Sequence, residues 1–211
     1  MGFDLYGLNP KINIDHTDEY YDILKSYGKD GWLDWQKDIP EATKERYFEL
    51  KDQYQEDNPG DYFRNNVWFW RPLWNFVCGA CEDILTIEDM NAGGTNSGDR
   101  ISEKKAVKIG KRLSELLADG TVDEIHRKHE LQRLEAEAHN KEVKAEMDKV
   151  SEACKKEHGE DLVPANYPEP YKSEWNELHA KEKFSAHYPF DRGNIENFAK
   201  FCLDSGGFEI C

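Results

Sequence analysis

Thr121–Glu157 reads TVDEIHRKHELQRLEAEAHNKEVKAEMDKVSEACKKE, the most charged run of the chain and free of proline and glycine. Thr121 and Glu124 have capping-box spacing, so the run predicts one long helix. Its apolar residues are sparse: Ile125, Leu131, Leu134 and Ala138, then Val143, Met147, Val150 and Cys154, with a change of phase near Asn140. A seam this thin predicts a helix that projects or packs along one side only, a charged helical extension over residues 121–160. His126 and His129 sit beside Arg127 and Lys128 and read as a solvated helix face rather than a metal pair.

On the N-terminal side, Phe3 and Leu5 alternate with Asp4 before Gly7 and Asn9-Pro10, the pattern of a short strand and a turn. Thr17 caps a short helix carrying Tyr20, Ile23, Leu24 and Tyr27. Pro40 opens a second helix with Tyr47, Leu50 and Tyr54 on one stripe. Pro72 is expected to open a buried helix over about 72–86. The small-residue loop NAGGTNSGD at 91–99 follows, then a helix capped by Ser102 and stopped at Gly120. Beyond the long helix, Pro164, Pro168 and Pro170 mark a linker, SEWNELHAKEKF a short helix, Asn194–Leu203 a final helix and Phe208–Cys211 a strand expected to join the first one. The predicted fold is mainly α, of the α+β kind: a compact helical core, a small terminal sheet and the long extension, within a single domain of residues 1–211.

The composition agrees. The 211 residues suffice for one good-sized core, and 12% aromatics against 34% charged residues describe a packed domain with part of the chain outside it. With 28 Lys and Arg against 43 Asp and Glu, the formal charge is -15, which disfavours general nucleic-acid binding. The first residues lack a signal-peptide pattern, no apolar run is long enough to span a bilayer, and Tyr6 stands where a myristoylation motif wants Ser or Thr. Five cysteines without an export signal suggest reduced thiols. The expectation is a soluble cytoplasmic protein without membrane contact.

The densest chemistry lies in DYFRNNVWFWRPLW at 61–74, which holds three of the six tryptophans. Aromatic faces stack bases, Arg forks pair with phosphates and Asn amides read polar edges, so Arg64, Asn65, Asn66, Trp68, Trp70 and Arg71 suit a nucleotide pocket. The same residues also suit an aromatic core segment whose arginines cover its edge. Cys78 and Cys81 form a CxxC that Cys202 and Cys211 would complete as a zinc site, although the second pair lacks knuckle spacing and inert buried thiols are the competing reading. The 91–99 loop lacks the Lys-Ser or Lys-Thr of a Walker loop. No nucleophile elbow, zinc-protease, deaminase or kinase signature occurs. No catalytic residue and no cofactor is therefore assigned.

GFDLYGLNPK at 2–11, YFRNNVWFWRPLWNFVCGACEDIL at 62–85, YPF at 188–190 and FAKFCLDSGGFEIC at 198–211 together resemble a family of small uncharacterised proteins of tailed bacteriophages and prophages. The resemblance covers roughly a third of the chain, leaves the charged middle variable and transfers no catalytic residue. It implies a phage accessory protein working in the host bacterial cytoplasm. Joined to the aromatic and Arg segment, it leads to a non-enzymatic binder that counters host antiviral defence by sequestering a small signalling nucleotide, with Trp68 or Trp70 stacking and Arg64 or Arg71 on phosphate. The alternative is a protein–protein inhibitor docking on a host defence protein through its acidic surface or long helix, for which trimming residues 121–160 would abolish activity. The thin seam also makes a homo-oligomer plausible.

Overall fold

The computed structural model describes residues 2–159 and 162–211. The expected boundaries at residues 1 and 160 lie outside these. The chain groups into two compact units, one of the residues up to Gly120 together with Arg192–Cys211, the other Thr121–Asp191. The first unit begins with β1 (Gly2–Gly7), α1 (Asp18–Tyr27), β2 (Gly28–Lys29), β3 (Trp32–Leu33), α2 (Glu41–Asp57), β4 (Tyr62–Asn66), α3 (Val67–Ala80), α4 (Ile87–Ala92), β5 (Asp99–Ser102) and α5 (Glu103–Ala118). The second contains α6 (Thr121–His158) and α7 (Tyr171–His179), after which α8 (Arg192–Asp204) and β6 (Gly207–Ile210) complete the first. The fold is mainly helical with a small antiparallel sheet, as the sequence predicts.

The sheet has the order β4-β1-β6-β5. Its terminal strands pair as expected, Leu5 opposite Ile210 and Tyr6 opposite Glu209. Alternation gives it two different faces. Phe3, Leu5, Phe63, Ile101, Phe208 and Ile210 are all buried and form the inner face. Against it packs α8, whose Phe198 lies 5.2 Å from Phe63 and whose Phe201 lies 5.4 Å from Phe208. The opposite face carries Tyr62 and Arg64 of β4, Asp4 and Tyr6 of β1, Glu209 of β6 and Arg100 of β5, paired across the ladders.

Two local expectations shift. The aromatic helix starts at Val67 rather than at Pro72, because Asn66 caps it: its side-chain oxygen accepts from the Trp68 and Phe69 amides at 3.0 and 3.1 Å. Pro72 lies inside the helix, and the five residues before Val67 form β4. The helix ends at Ala80 rather than 86, and Thr86 starts α4 through a capping box with Asp89. At the end of the small-residue loop, Asp99–Ser102 forms β5, paired with Gly207–Ile210. Ser102 precedes α5 at the cap position without a side-chain cap bond.

In the second unit, α6 runs from Thr121 to His158 and buries Ala136, Val143, Met147 and Cys154. These recur at intervals of seven, four and seven residues, a heptad-like stripe. Leu131, Leu134 and Ala138, expected on the seam, are exposed instead. The returning segment is clamped to the middle of α6: the Lys183 amide donates to Asn140 Oδ1 at 2.8 Å, while Asn140 Nδ2 donates to the Lys183 carbonyl at 3.0 Å. His126 Nδ1 lies 2.6 Å from the Phe190 carbonyl and His129 stacks on the Phe190 ring at 5.3 Å, so both histidines are engaged by the end of this unit. Among the described residues no helix is long and apolar enough to cross a membrane.

Candidate functional site

The aromatic segment divides between core and surface. Trp70 is fully buried. Phe3 and Trp74 each stack on it with ring centroids 5.2 Å away, and its indole N–H donates to the Gly93 carbonyl at 2.7 Å. A ring committed on its faces and at its nitrogen has nothing left for a ligand, so the expected stacking role does not fit Trp70. Trp74 is fixed likewise, donating to the Met90 carbonyl at 2.8 Å. Gly93 is required beneath them, since a Cβ there would come within 2.0 Å of Trp74 Nε1. Asn66 is spent on capping. Trp68 is 42% exposed and Arg71 lies on the exposed side of α3.

Arg64 has a different setting. Its side chain is 68% exposed on the open sheet face, with Nε 3.5 Å from Asp4 Oδ1. Beside it the Tyr62 hydroxyl donates to the same Asp4 carboxylate, and Tyr6 lies 5.3 Å from Tyr62 at a 44° tilt. Burial first, and the Asp4 carboxylate second, raise the Tyr62 phenol above its ordinary range, so it stays a protonated donor. Across the sheet Arg100 donates to Glu209 at 2.7 Å, and that bond holds the Glu209 carboxyl below its usual range.

Around the free edge of β4 this face runs into a groove of about 510 Å³. Tyr62, Phe63 and Arg64 form its floor; Gln55, Glu56 and Pro59 form one wall, and Asn194, Asn197 and Lys200 of α8 the other. The ladder explains why the edge is available. Phe63 faces Leu5 and Asn65 faces Phe3, while Gly7 donates to the Asp61 carbonyl at 2.9 Å. The peptide groups of Tyr62 and Arg64 therefore point away from β1, and Gln55 Nε2 donates to the Tyr62 carbonyl. Asn65 supports the wall through a 2.8 Å bond from its Nδ2 to Asn194 Oδ1. Lys200 is held by Glu196 at 2.9 Å.

Of the six residues singled out in the sequence, Arg64 lines the groove and Asn65 braces it; Asn66, Trp68, Trp70 and Arg71 are not among its lining. Asn194, Asn197, Lys200 and Gln55 carry no local motif, and it is the placement of α8 and α2 beside β4 that brings them to Arg64. The site offers planar rings, amides and two cations, which suits an anionic ligand with a planar group.

The four cysteines proposed for zinc do not come together. Cys202 is fully buried on α8, whereas Cys211 continues the open face, its thiol 3.5 Å from Glu209 Oε1. Burial pushes the Cys78 and Cys81 thiols up to about 11, and raises Cys202 as well. Among the described residues no group of three or more His, Cys, Asp or Glu side chains is placed to hold a metal ion. The chain matches no family model, no curated protein and no solved structure.

Proposed function

We propose that this chain acts by binding, holding a small nucleotide-like anion in the β4 groove without turning it over. The observation that carries the reading is the convergence of Arg64, Tyr62, Asn194, Asn197 and Lys200 on one groove at the edge of an open sheet face that also presents Tyr6. In this arrangement Arg64 and Lys200 take the phosphate, the amides take its polar edges, and Tyr6 with Tyr62 provides the stacking surface first assigned to Trp70. The biological setting belongs to the same proposal: a phage accessory protein in the bacterial cytoplasm that counters host defence by sequestering a signalling nucleotide, an idea supported by the sequence resemblance.

The test is calorimetric titration of the protein with ATP, AMP and a cyclic dinucleotide, with the ligand recovered afterwards. The expected result is stoichiometric binding of at least one of them, recovery of intact nucleotide, and a loss of about tenfold in affinity for Arg64→Ala, equal to one charge-assisted contact of about 1.4 kcal/mol. Binding that survives Arg64→Ala and Lys200→Ala unchanged, or release of a cleaved product, refutes the reading.

A further inference from the structure

β4 stands at the edge of the sheet: β1 pairs with one side of it and no strand pairs with the other. Edge strands in native proteins are interrupted by proline or a bulge, or covered, because a row of unpaired N–H and C=O groups accepts another chain. β4 has neither interruption: its five residues pair with β1 without an offset and include no proline. Phe63 and Asn65 turn their peptide groups to β1, whereas the Tyr62 N–H, the Arg64 N–H and the Arg64 C=O face the groove. Among the described residues none of these three groups has a hydrogen-bond partner.

The fourth outward group shows what the edge accepts. The Tyr62 C=O receives the Nε2–H of Gln55, a side-chain amide in the place where an added strand would put a main-chain N–H. The walls then decide the form of the occupant. Gln55, Glu56 and Pro59 rise on one side, and Asn194, Asn197 and Lys200 on the other. The edge of another folded sheet with walls of its own, a second copy of this chain included, cannot reach β4 between them; a single extended chain can. The charges ask little of that chain's sequence, since Arg64 and Lys200 are offset by Glu56 in the groove and by Asp4 and Glu196 beside them.

We propose that β4 takes up an extended segment of another protein as a fifth strand, held by the main-chain groups of Tyr62 and Arg64, with the Gln55 amide giving way to a backbone N–H. The proposal goes beyond the nucleotide reading and does not need it, because it rests on main-chain pairing rather than on the cations; the two occupants exclude one another. It also fixes which face of the segment points where. A residue paired with Arg64 presents its side chain on the open face, and its neighbours turn theirs toward Phe63 and α8.

The test uses the full chain and a seven-residue peptide of alternating Thr and Val with blocked ends, titrated by calorimetry. With Val turned toward Phe63, the Thr N–H groups lie on β4. The parent peptide is expected to bind with a submillimolar Kd, N-methylation of its Thr residues to abolish binding, and N-methylation of its Val residues to leave it within about twofold. Arg64→Pro removes an N–H that β1 does not use, so the ladder survives, and it is expected to weaken binding by about tenfold more than Arg64→Ala, which keeps that N–H. Gln55→Ala removes the competing amide and is expected to tighten binding severalfold; it tests the edge even where proline at 64 impairs folding. The proposal is overturned if the parent peptide does not bind, if both N-methylated peptides bind as the parent does, if Arg64→Pro in a folded protein costs no more than Arg64→Ala, or if Gln55→Ala weakens binding. Failure of the nucleotide reading shows separately, as a chain that binds the peptide and none of the nucleotides.

Discussion

Replacing Trp70 with Phe separates a core role from a ligand-binding one. The smaller ring can still stack between Phe3 and Trp74, both 5.2 Å from the present indole, but it has no N–H for the Gly93 carbonyl, which accepts at 2.7 Å. Gly93 is buried, so its carbonyl loses its donor where water has little access, a penalty of about 1–3 kcal/mol. The lost part of the bicyclic ring removes transfer and packing energy of about 1–2 kcal/mol more, because neighbours on three elements cannot all close the gap. The sum, about 2–5 kcal/mol, is a large share of the roughly 5–15 kcal/mol that holds a domain together. Urea denaturation followed by far-UV circular dichroism measures it, with the m-value checking that the transition stays two-state. A loss under about 0.5 kcal/mol, within the scatter of ordinary surface substitutions, would refute the packing argument and restore Trp70 as a candidate ligand contact.

Asn66→Ala deprives the Trp68 and Phe69 amides of their acceptor and should destabilise the protein by about 1 kcal/mol, while Asn66→Asp keeps the cap and most of the stability in the same urea titration. His16 is sandwiched between Tyr20 and Tyr54 at 3.8 and 3.7 Å, with Nδ1 buried and unpartnered; burial lowers its pKa, outweighing Asp15 and Asp61, while Lys51 adds to the lowering. Both states are neutral above the unfolded pKa of about 6.5, and below it the unfolded chain takes up a proton that the folded one resists, so stability contributed by this site falls with pH until the folded pKa is passed. His16→Phe should remove that part of the slope between pH 7.5 and 5.5 in urea midpoints measured as a series, and a slope unchanged by the substitution would place its origin elsewhere. Finally, the raised Cys78, Cys81 and Cys202 thiols should resist iodoacetamide at pH 8 in the native protein and react once urea unfolds it, as read by peptide mapping.

The readable parts of the chain were those with a local physical cause. The absence of proline and glycine over residues 121–157 produces α6, and the alternation of Phe3 and Leu5, matched by Phe208 and Ile210, produces the central strand pair. What stayed hidden depends on period and on distant contacts. In YFRNNVWFWRPLW the period changes from two to 3.6 at Asn66 without a break in composition. Read as a string, Trp68 and Trp70 look equivalent, yet two positions on a helix are about 200° apart, so one ring points to solvent and the other to the core. Ile101 is the only apolar residue of β5, too little for an alternation to register. The α8 side of the groove was illegible for another reason: Asn194, Asn197 and Lys200 are the polar complement of the buried stripe Ile195, Phe198 and Phe201, and nothing in their own spacing says that the sheet edge will lie beside them.

The net charge gives the groove a kinetic signature. A chain at -15 slows the approach of an anion, and the effect fades within a Debye length of about 10 Å at 0.1 M salt. In the groove, Arg64 already lies beside Asp4 and Lys200 beside Glu196, so an arriving phosphate exchanges with carboxylates the protein supplies. Exposed pairs of this kind are worth about 0–1 kcal/mol, so the exchange meets little resistance and the global repulsion is left as the main barrier to encounter. Added salt screens that repulsion, so nucleotide association should keep its rate or gain from moderate salt. Stopped-flow traces at about 20 and about 200 mM NaCl, on either side of that screening range, measure the response. Association that slows steeply with added salt would mean that local pairing with Arg64 and Lys200, rather than the field of the whole chain, governs the encounter.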